Sequence, residues 1–448
     1  MNAVLGRHLT ILDPGPYRRR LIRMAVFRRR GRLPPGEKRL VLAFDQTPRR
    51  VVLPRGLVRA ASRIVPLRVV DRRLTLAPVD FRWRGTLYPY QVSAARAVIK
   101  NEGGVLVAPP GAGKTVMGLA AAAAWRQPTL WLVHTLELQQ QALERAHALY
   151  GLPDGAYATI GEGARPEGLE GRALYVAMIQ TMAQVAGWTE WMATRVGTVI
   201  VDECHHTPAS TYRLVIGQMP ARFRLGLSAT PQRTDGLGPL MRAVLGPQVQ
   251  VPLRLLVDVG RIVLPTIRLV ETDFRLEDDA LAWDAMEKAR AEDPGRNRIV
   301  LSLAFRAYRA HRKVMILVAR KQHARMLAAA LERAGVPAAA ITGDATTERR
   351  NRAFERLERG RMVVVATRVA NEGLDLPLLD TLILASAARS PVTLEQQLGR
   401  LMRTARGKGT PVAFDVIDSH VPALAEQARA RRQYYAEVGY QVARYGWR

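Results

Sequence analysis

The chain has 448 residues, enough for two or three domains with large cores, and its composition (48% hydrophobic, 24% charged) is that of a soluble globular protein. No apolar run approaches the ~18 residues a membrane span needs, and one cysteine, Cys204, excludes an internal disulfide. A net charge of +28 and a pI near 11.2 point to a polyanionic partner, nucleic acid before anionic membrane.

Residues 1–82 read as a basic leader with twenty Arg and Lys against five acids, a net of +15. The start carries Arg7 and His8 and is broken by Asp13 and Pro14, which does not read as a secretory signal. With the single cysteine this places the chain in a reducing cytoplasm. Arg18-Arg19-Arg20 and Arg28-Arg29-Arg30 flank the mostly apolar stretch Leu21 to Phe27. Strand-like runs follow at Arg39–Phe44, Val51–Leu53 and Ile64–Val70, separated by Pro34-Pro35, Pro48 and Pro54. The expectation is a small α+β module whose basic face lies on a phosphate backbone.

Tyr88-Pro89-Tyr90-Gln91 then opens a helix running through Ala94 and Ile99. The Gln91 amide can pair with the donor and acceptor edges of adenine, with Tyr88 stacked on the ring. About two dozen residues later comes Gly103-Gly104-Val105-Leu106-Val107-Ala108-Pro109-Pro110-Gly111-Ala112-Gly113-Lys114-Thr115: a buried strand, a glycine-bearing loop, then a helix. Glycine lets backbone N–H groups turn toward an anion, and a helix starting near Lys114 points its positive end there. Pro109 to Gly113 would cradle phosphates, Lys114 would reach the β- and γ-phosphates, and the Thr115 hydroxyl would ligate Mg²⁺. Ala108 stands where such loops commonly begin with glycine.

Strands are expected at Thr129–His134, Tyr175–Gln180 and Thr198–Val201, with a helix at Leu136–Leu149. The last of these strands ends in Asp202-Glu203-Cys204-His205-His206. Acids at the carboxyl end of a strand, beside a phosphate loop, suit a metal and an attacking water: Asp202 for Mg²⁺, Glu203 for the water. Cys204, His205 and His206 find no second ligand pair at zinc spacing, so His205 reads as a hydrogen-bonding link rather than a ligand. A strand at Arg224–Leu227 leads into Ser228-Ala229-Thr230, whose small hydroxyl residues can bond the acidic motif. Arg233-Thr234-Asp235 follows.

Residues 251–297 read as a looser connector between two lobes: a strand-like stretch, then the acidic run Glu277-Asp278-Asp279. A second strand–helix series spans 298–420, with strands expected at Val314–Val318, before Thr342, at Met362–Ala366, Leu382–Ala385 and Val412–Ile417. Between them lie Thr367, then Gly373 and Asp375, and a helix carrying Gln396, Arg400 and Arg403, whose i,i+3 arginines share one face and suit a triphosphate. Residues 421–448 read as a terminal helix rich in Tyr and Arg, suited either to base stacking or to packing on the second lobe.

The order of these motifs resembles a superfamily 2 helicase, most closely the XPB-like group with its phage members, over roughly residues 83–420. The resemblance rests on Gln91, Ala108 to Thr115, Asp202 to His205, Ser228 to Thr230, Gly373 with Asp375, and Gln396 through Arg403. It implies an α/β fold of two RecA-like parallel-sheet lobes, 83–250 and 298–420, with ATP and Mg²⁺ between them. Arg400 and Arg403 are then similar to the arginine finger and its γ-phosphate partner. Gly373 and Asp375 are similar to the ribose-contacting motif, while His205, Ser228, Ala229, Thr230 and Gln396 couple hydrolysis to movement. Thr367, Arg233 and Asp235 would meet nucleic acid, although Thr234 replaces the glutamate of the XPB element. The implied activity is an ATP-driven helicase or translocase on single-stranded or forked DNA, in repair, recombination or phage-related processing. An RNA helicase, or the motor subunit of a separate nuclease or defence complex, is the alternative.

Overall fold

The computed structural model describes residues 1–29, 38–161, 168–185, 187–207, 209–229, 236–276, 282–367, 376–386 and 391–446. The chain divides into two compact units, Met1–Pro252 and Leu253–Arg448.

The first unit is built on a parallel sheet of seven strands. Its order is Tyr157–Ile160, Leu174–Met178, Thr129–Val133, Thr198–Val201, Phe223–Ser228, Gly103–Val107 and Gln248–Gln250. The central strands are buried throughout, which is why they read as unbroken apolar runs rather than as alternating ones. The helices Pro89–Lys100, Lys114–Trp125 and Leu136–Leu149 form where apolar residues recur at helical spacing. Thr135 starts the last of these by accepting the Leu138 N–H at 3.3 Å.

The leader belongs to this same unit. Asn2–Leu5, His8–Leu12, Asp45–Thr47, Arg50–Pro54 and Arg68–Asp71 form a five-stranded mixed sheet. Helices Arg18–Arg23 and Val58–Ile64 share its core around Leu21, Ala25 and Ala61. The first residue of the run expected as a strand at Ile64–Val70 instead ends that helix, and the strand itself is only Arg68–Asp71. Its Val and Ile favour strand locally, but packing of Ala61 and Val65 into the module core selects helix followed by a turn. Phe27 and Val41, from a separate two-stranded piece, pack into the core of the large sheet.

Two arginines weld the leader to the sheet. The Arg55 guanidinium, 7% exposed, donates to Ala221 O at 2.5 Å and Arg222 O at 3.1 Å. Arg224, 1% exposed, donates to Met219 O and to Arg7 O of the leader, the latter at 3.0 Å. The leader backbone comes so close at Gly56 that an added Cβ would meet Ala243 O at 2.5 Å and Arg242 O at 2.7 Å. Below them, Glu102 accepts from Arg222 at 2.6 Å and pairs with Arg73 at 2.7 Å.

The second unit repeats the plan. Its seven parallel strands run in the order Ala338–Ile341, Val363–Thr367, Val314–Val318, Thr381–Leu384, Val412–Ile417, Thr266–Glu271 and Val442–Arg444. Two expectations change here. The stretch 251–297 is no simple connector: Thr266–Glu271 is an inner strand, and Trp283–Glu292 is a helix over the buried Asp418 cluster. Residues 421–448 are not one helix either: Pro422–Val438 is followed by the edge strand Val442–Arg444. Tyr435 and Tyr440 are buried, and Tyr435 donates to Asp415 at 3.0 Å, so these rings pack the unit and are not offered to bases. The acidic run Glu277-Asp278-Asp279 lies outside the described residues.

Candidate nucleotide site

The phosphate loop sits between the buried strand Gly103–Val107 and the helix Lys114–Trp125. Gly111 and Gly113 have φ of +81° and +79°, left-handed values that turn successive amides to one side. Ala108 is buried and keeps an ordinary negative φ, so a glycine is not required there. Its N–H donates to Ser228 O at 3.0 Å and its carbonyl accepts from Lys114 Nζ at 3.4 Å. Pro109 is buried and Pro110 half-buried, which stiffens the entry to the loop.

Gln91 ties the start of the preceding helix to this loop. Its Nε2 donates to Ala112 O at 2.9 Å, and its Oε1 accepts from the Tyr88 N–H at 3.0 Å. An amide has two hydrogens and two lone pairs, so one of each is left for a base edge. Tyr90, which sequence reasoning passed over, donates its hydroxyl to the same Ala112 carbonyl at 3.1 Å. The ring of Tyr88, 42% exposed, stacks on Tyr90 with centroids 6.1 Å apart.

Across the sheet, the strand Thr198–Val201 delivers Asp202 and Glu203 to the loop. Lys114 Nζ lies 3.8 Å from Glu203 Oε1, and Asp202 Oδ1 accepts the Glu203 N–H at 2.9 Å. Glu203 has a φ of +44°, a conformation that costs a side-chain-bearing residue on the order of 1–3 kcal/mol. At this position the Glu203 carboxylate faces the loop lysine. Burial, then the neighbouring Glu203 carboxylate, pushes the Asp202 carboxyl well above its ordinary range, while Lys114 opposes the shift. A buried acid with excess proton affinity beneath a phosphate cradle is a fit place for a divalent cation.

No group of three or more His, Cys, Asp or Glu that could hold a metal occurs among the described residues. Mg²⁺ does not require such a group: it takes one or two carboxylates and draws its other ligands from phosphate and water. Thr115, half-buried at the helix start, and Asp202 are the protein oxygens suited to it. The zinc pattern fails physically: Cys204 Sγ is buried 3.4 Å from Met241 Sδ, inside the core.

His205 links two motifs. Its Nδ1 is 3.4 Å from Glu203 Oε2 and 3.1 Å from Ser228 Oγ. Ser228 and Ala229 are buried at the end of the strand Phe223–Ser228. Thr230, Arg233 and Asp235 lie outside the described residues, as do Gly373 and Asp375.

In the second unit, Gln396 and Arg400 are half-buried on the helix Pro391–Met402, and Arg403 falls just past its end. Thr367 closes the strand Val363–Thr367; it is 4% exposed and its hydroxyl has no hydrogen-bond partner among the described residues. Gln397, next to Gln396 and unremarked from the sequence, is buried with neither amide atom partnered among the described residues.

Residues 84–233 match the family of the type III restriction enzyme res subunit, and residues 296–405 match the helicase conserved C-terminal domain. Over 384 residues the chain is 27% identical to a "probable helicase" of Escherichia phage T5, covering 84% of this chain and 80% of that one. It is 29% identical over 367 residues to the DNA 3'-5' helicase XPB of Kineococcus radiotolerans, covering 79% of this chain and 63% of that one. Among solved structures, the helicase domain of Pyrococcus furiosus Hef superposes with a TM-score of 0.55 at 16% identity, over 77% of this chain and 98% of that one. That likeness shows the fold: both seven-stranded units are RecA-like.

Proposed function

Because the chain belongs to the superfamily 2 helicases, with relatives of the XPB type, we infer that it is an ATP-dependent DNA helicase whose hydrolytic centre is the Lys114–Glu203–Asp202 cluster. The observation that carries this reading is the placement of that lysine, 3.8 Å from Glu203, under a loop with two left-handed glycines. The loop amides and Lys114 hold the β- and γ-phosphates, and Gln91 with Tyr88 holds adenine. Thr115 and Asp202 would hold Mg²⁺, which would neutralise phosphate charge when bound. Glu203 orients and polarises the attacking water. His205 passes the state of Glu203 to Ser228, the end of the strand that leads to the next motif.

Arg400 acts as the finger from the second lobe and Arg403 as its partner on the γ-phosphate; Gly373 and Asp375 meet the ribose, with Gln396 coupling. Thr367, Arg233 and Asp235 are the nucleic-acid contacts within the motor. The leader supplies a further nucleic-acid face. Helices Arg18–Arg23 and Val58–Ile64 expose Arg19, Arg20, Arg23, Arg59 and Arg63 and carry no acid. A separate nuclease or repair protein is the partner class to seek by co-purification. No helix among the described residues is long and apolar enough to cross a membrane.

The test is nucleotide hydrolysis with single-stranded DNA, duplex, fork and RNA of one sequence. Lys114→Ala and Glu203→Gln are expected to abolish DNA-stimulated hydrolysis. Arg400→Ala should lose on the order of 10³-fold or more in turnover while still binding ATP. Persistent stimulation in either of the first two variants would sink the site assignment. Greater stimulation by RNA would move the chain to the RNA-helicase reading.

A further inference from the structure

The helix Pro391–Met402 ends one residue before Arg403, so the geometry of both arginines depends on how that end is held. The last carbonyls of a helix lack donors within it. Here they are met from outside. Lys408 Nζ donates to Leu401 O at 2.8 Å and to Arg403 O at 2.7 Å. Between them, the Val263 N–H donates to Met402 O at 2.8 Å, and Ile262 pairs with Arg403 in an antiparallel bridge.

The segment that carries Lys408 is itself anchored. Arg312 donates to Thr410 O at 2.6 Å and to Asp380 O at 2.9 Å, and the Val412 N–H donates to the same Asp380 carbonyl at 2.9 Å. One ammonium thus joins a fixed loop to carbonyls on either side of the helix end. Burial pushes that ammonium down to about 8; Asp380 and Glu358 oppose the shift and Arg403 adds to it. Its desolvation is offset chiefly by those two carbonyls and by the carboxylates of Asp380 and Glu358. Three rotatable donors on a long stem can serve two diverging carbonyls, and a cation at a helix C-terminus also meets the dipole favourably.

We propose that Lys408 is a positioning residue for ATP hydrolysis, fixing the backbone from which Arg400 and Arg403 project. This rests on the reading that those arginines act on the nucleotide. Lys408 touches no nucleotide; it acts through the arginines. Displacements of about 1 Å in catalytic groups cost up to 10²-fold in rate.

In the full-length protein with single-stranded DNA, Lys408→Met is expected to lower kcat for ATP about ten- to a hundredfold. The dissociation constant for ATP should stay within about twofold, because the phosphate loop lies in the other unit. Lys408→Arg, which keeps two or more donors, should recover kcat to within about threefold of wild type. In an Arg400→Ala/Arg403→Ala background Lys408→Met should add no further loss, the non-additivity of residues acting as one unit. Lys408→Gln, which retains one amide donor group, replaces the methionine variant if that protein does not fold.

A Lys408→Met protein with wild-type kcat, measured beside an inactive Arg403→Ala, would overturn the proposal and leave the arginine reading intact. Losses that follow the melting temperature and extend to ATP affinity would also overturn it, since they mark a structural brace. If Arg400→Ala and Arg403→Ala both hydrolyse normally, the reading beneath the proposal fails instead.

Discussion

Gly113→Ala tests whether base recognition and phosphate binding are mechanically joined through Gln91. At φ +79° an added Cβ would lie 2.5 Å from Gln91 Nε2. Holding alanine in the left-handed region costs on the order of 1–2 kcal/mol. Evicting the Gln91 amide from Ala112 O forfeits a hydrogen bond of about 0.5–1.5 kcal/mol. The empty loop can relax out of its cradle shape, so ATP must re-form it, and apparent affinity falls by the lost competent fraction. A total of about 1.5–3.5 kcal/mol corresponds to roughly 10- to 300-fold weaker binding, at about 1.4 kcal/mol per decade. Titration calorimetry with ATP and GTP measures it directly. Displacement of Gln91 should also narrow the preference for ATP over GTP, which loss of the phosphate cradle alone would not do. An ATP affinity within threefold of wild type, with base preference unchanged, would refute the argument.

Replacing Arg19, Arg20 and Arg23 by Ala is expected to lower the log–log salt slope of DNA binding by up to about 2.7, at roughly 0.9 per lost phosphate contact. An unchanged slope would remove the leader's helical face from the binding surface. Asp418→Ala strips the shared partner of Arg290 and Arg296, each 2.9 Å from its carboxylate, and should cost the second unit roughly 3–5 kcal/mol by chemical denaturation; a change below 1 kcal/mol would mean that the network is slack. Burial, with Arg296 and Arg290 nearby, pushes the His323 imidazole down to about 3, below its unfolded value of about 6.5. The unfolded chain therefore binds the extra proton in that window. His323 stabilisation is complete above pH 6.5 and is lost as pH falls toward 3, by up to about 1.4 kcal/mol per unit. Denaturant midpoints from pH 7 to 5 should fall less steeply in His323→Gln than in wild type, and parallel curves would contradict the assignment.

What the sequence made legible follows from burial. Strands such as Thr198–Val201, Val314–Val318 and Val363–Thr367 are enclosed on both faces and announce themselves as apolar runs. The phosphate loop and the acidic pair were legible because their chemistry tolerates few residue types. Gln248–Gln250 and Val442–Arg444 escaped notice because they are three-residue edge strands with no fully buried side chain. Thr266–Glu271 is legible only as a strand-like stretch in a connector: its partner, Val412–Ile417, lies far along the chain, and nothing local reveals a parallel neighbour. Tyr90, Arg55, Arg224 and Lys408 act by donating to main-chain carbonyls, and a carbonyl has no sequence signature.

The seating of Arg55 and Gly56 against residues 221–222 and 242–243 bears on how this protein can be cut and recombined. Deleting residues 1–82 would strip Phe27 and Val41 from the first unit's core and leave the Arg224 side chain without its acceptor at Arg7. A shortened protein that bound DNA poorly would then report damage to the ATPase as readily as loss of a recognition surface. Chimeras that exchange substrate preference are better joined near Leu253, with the leader and its sheet transplanted as a single cassette.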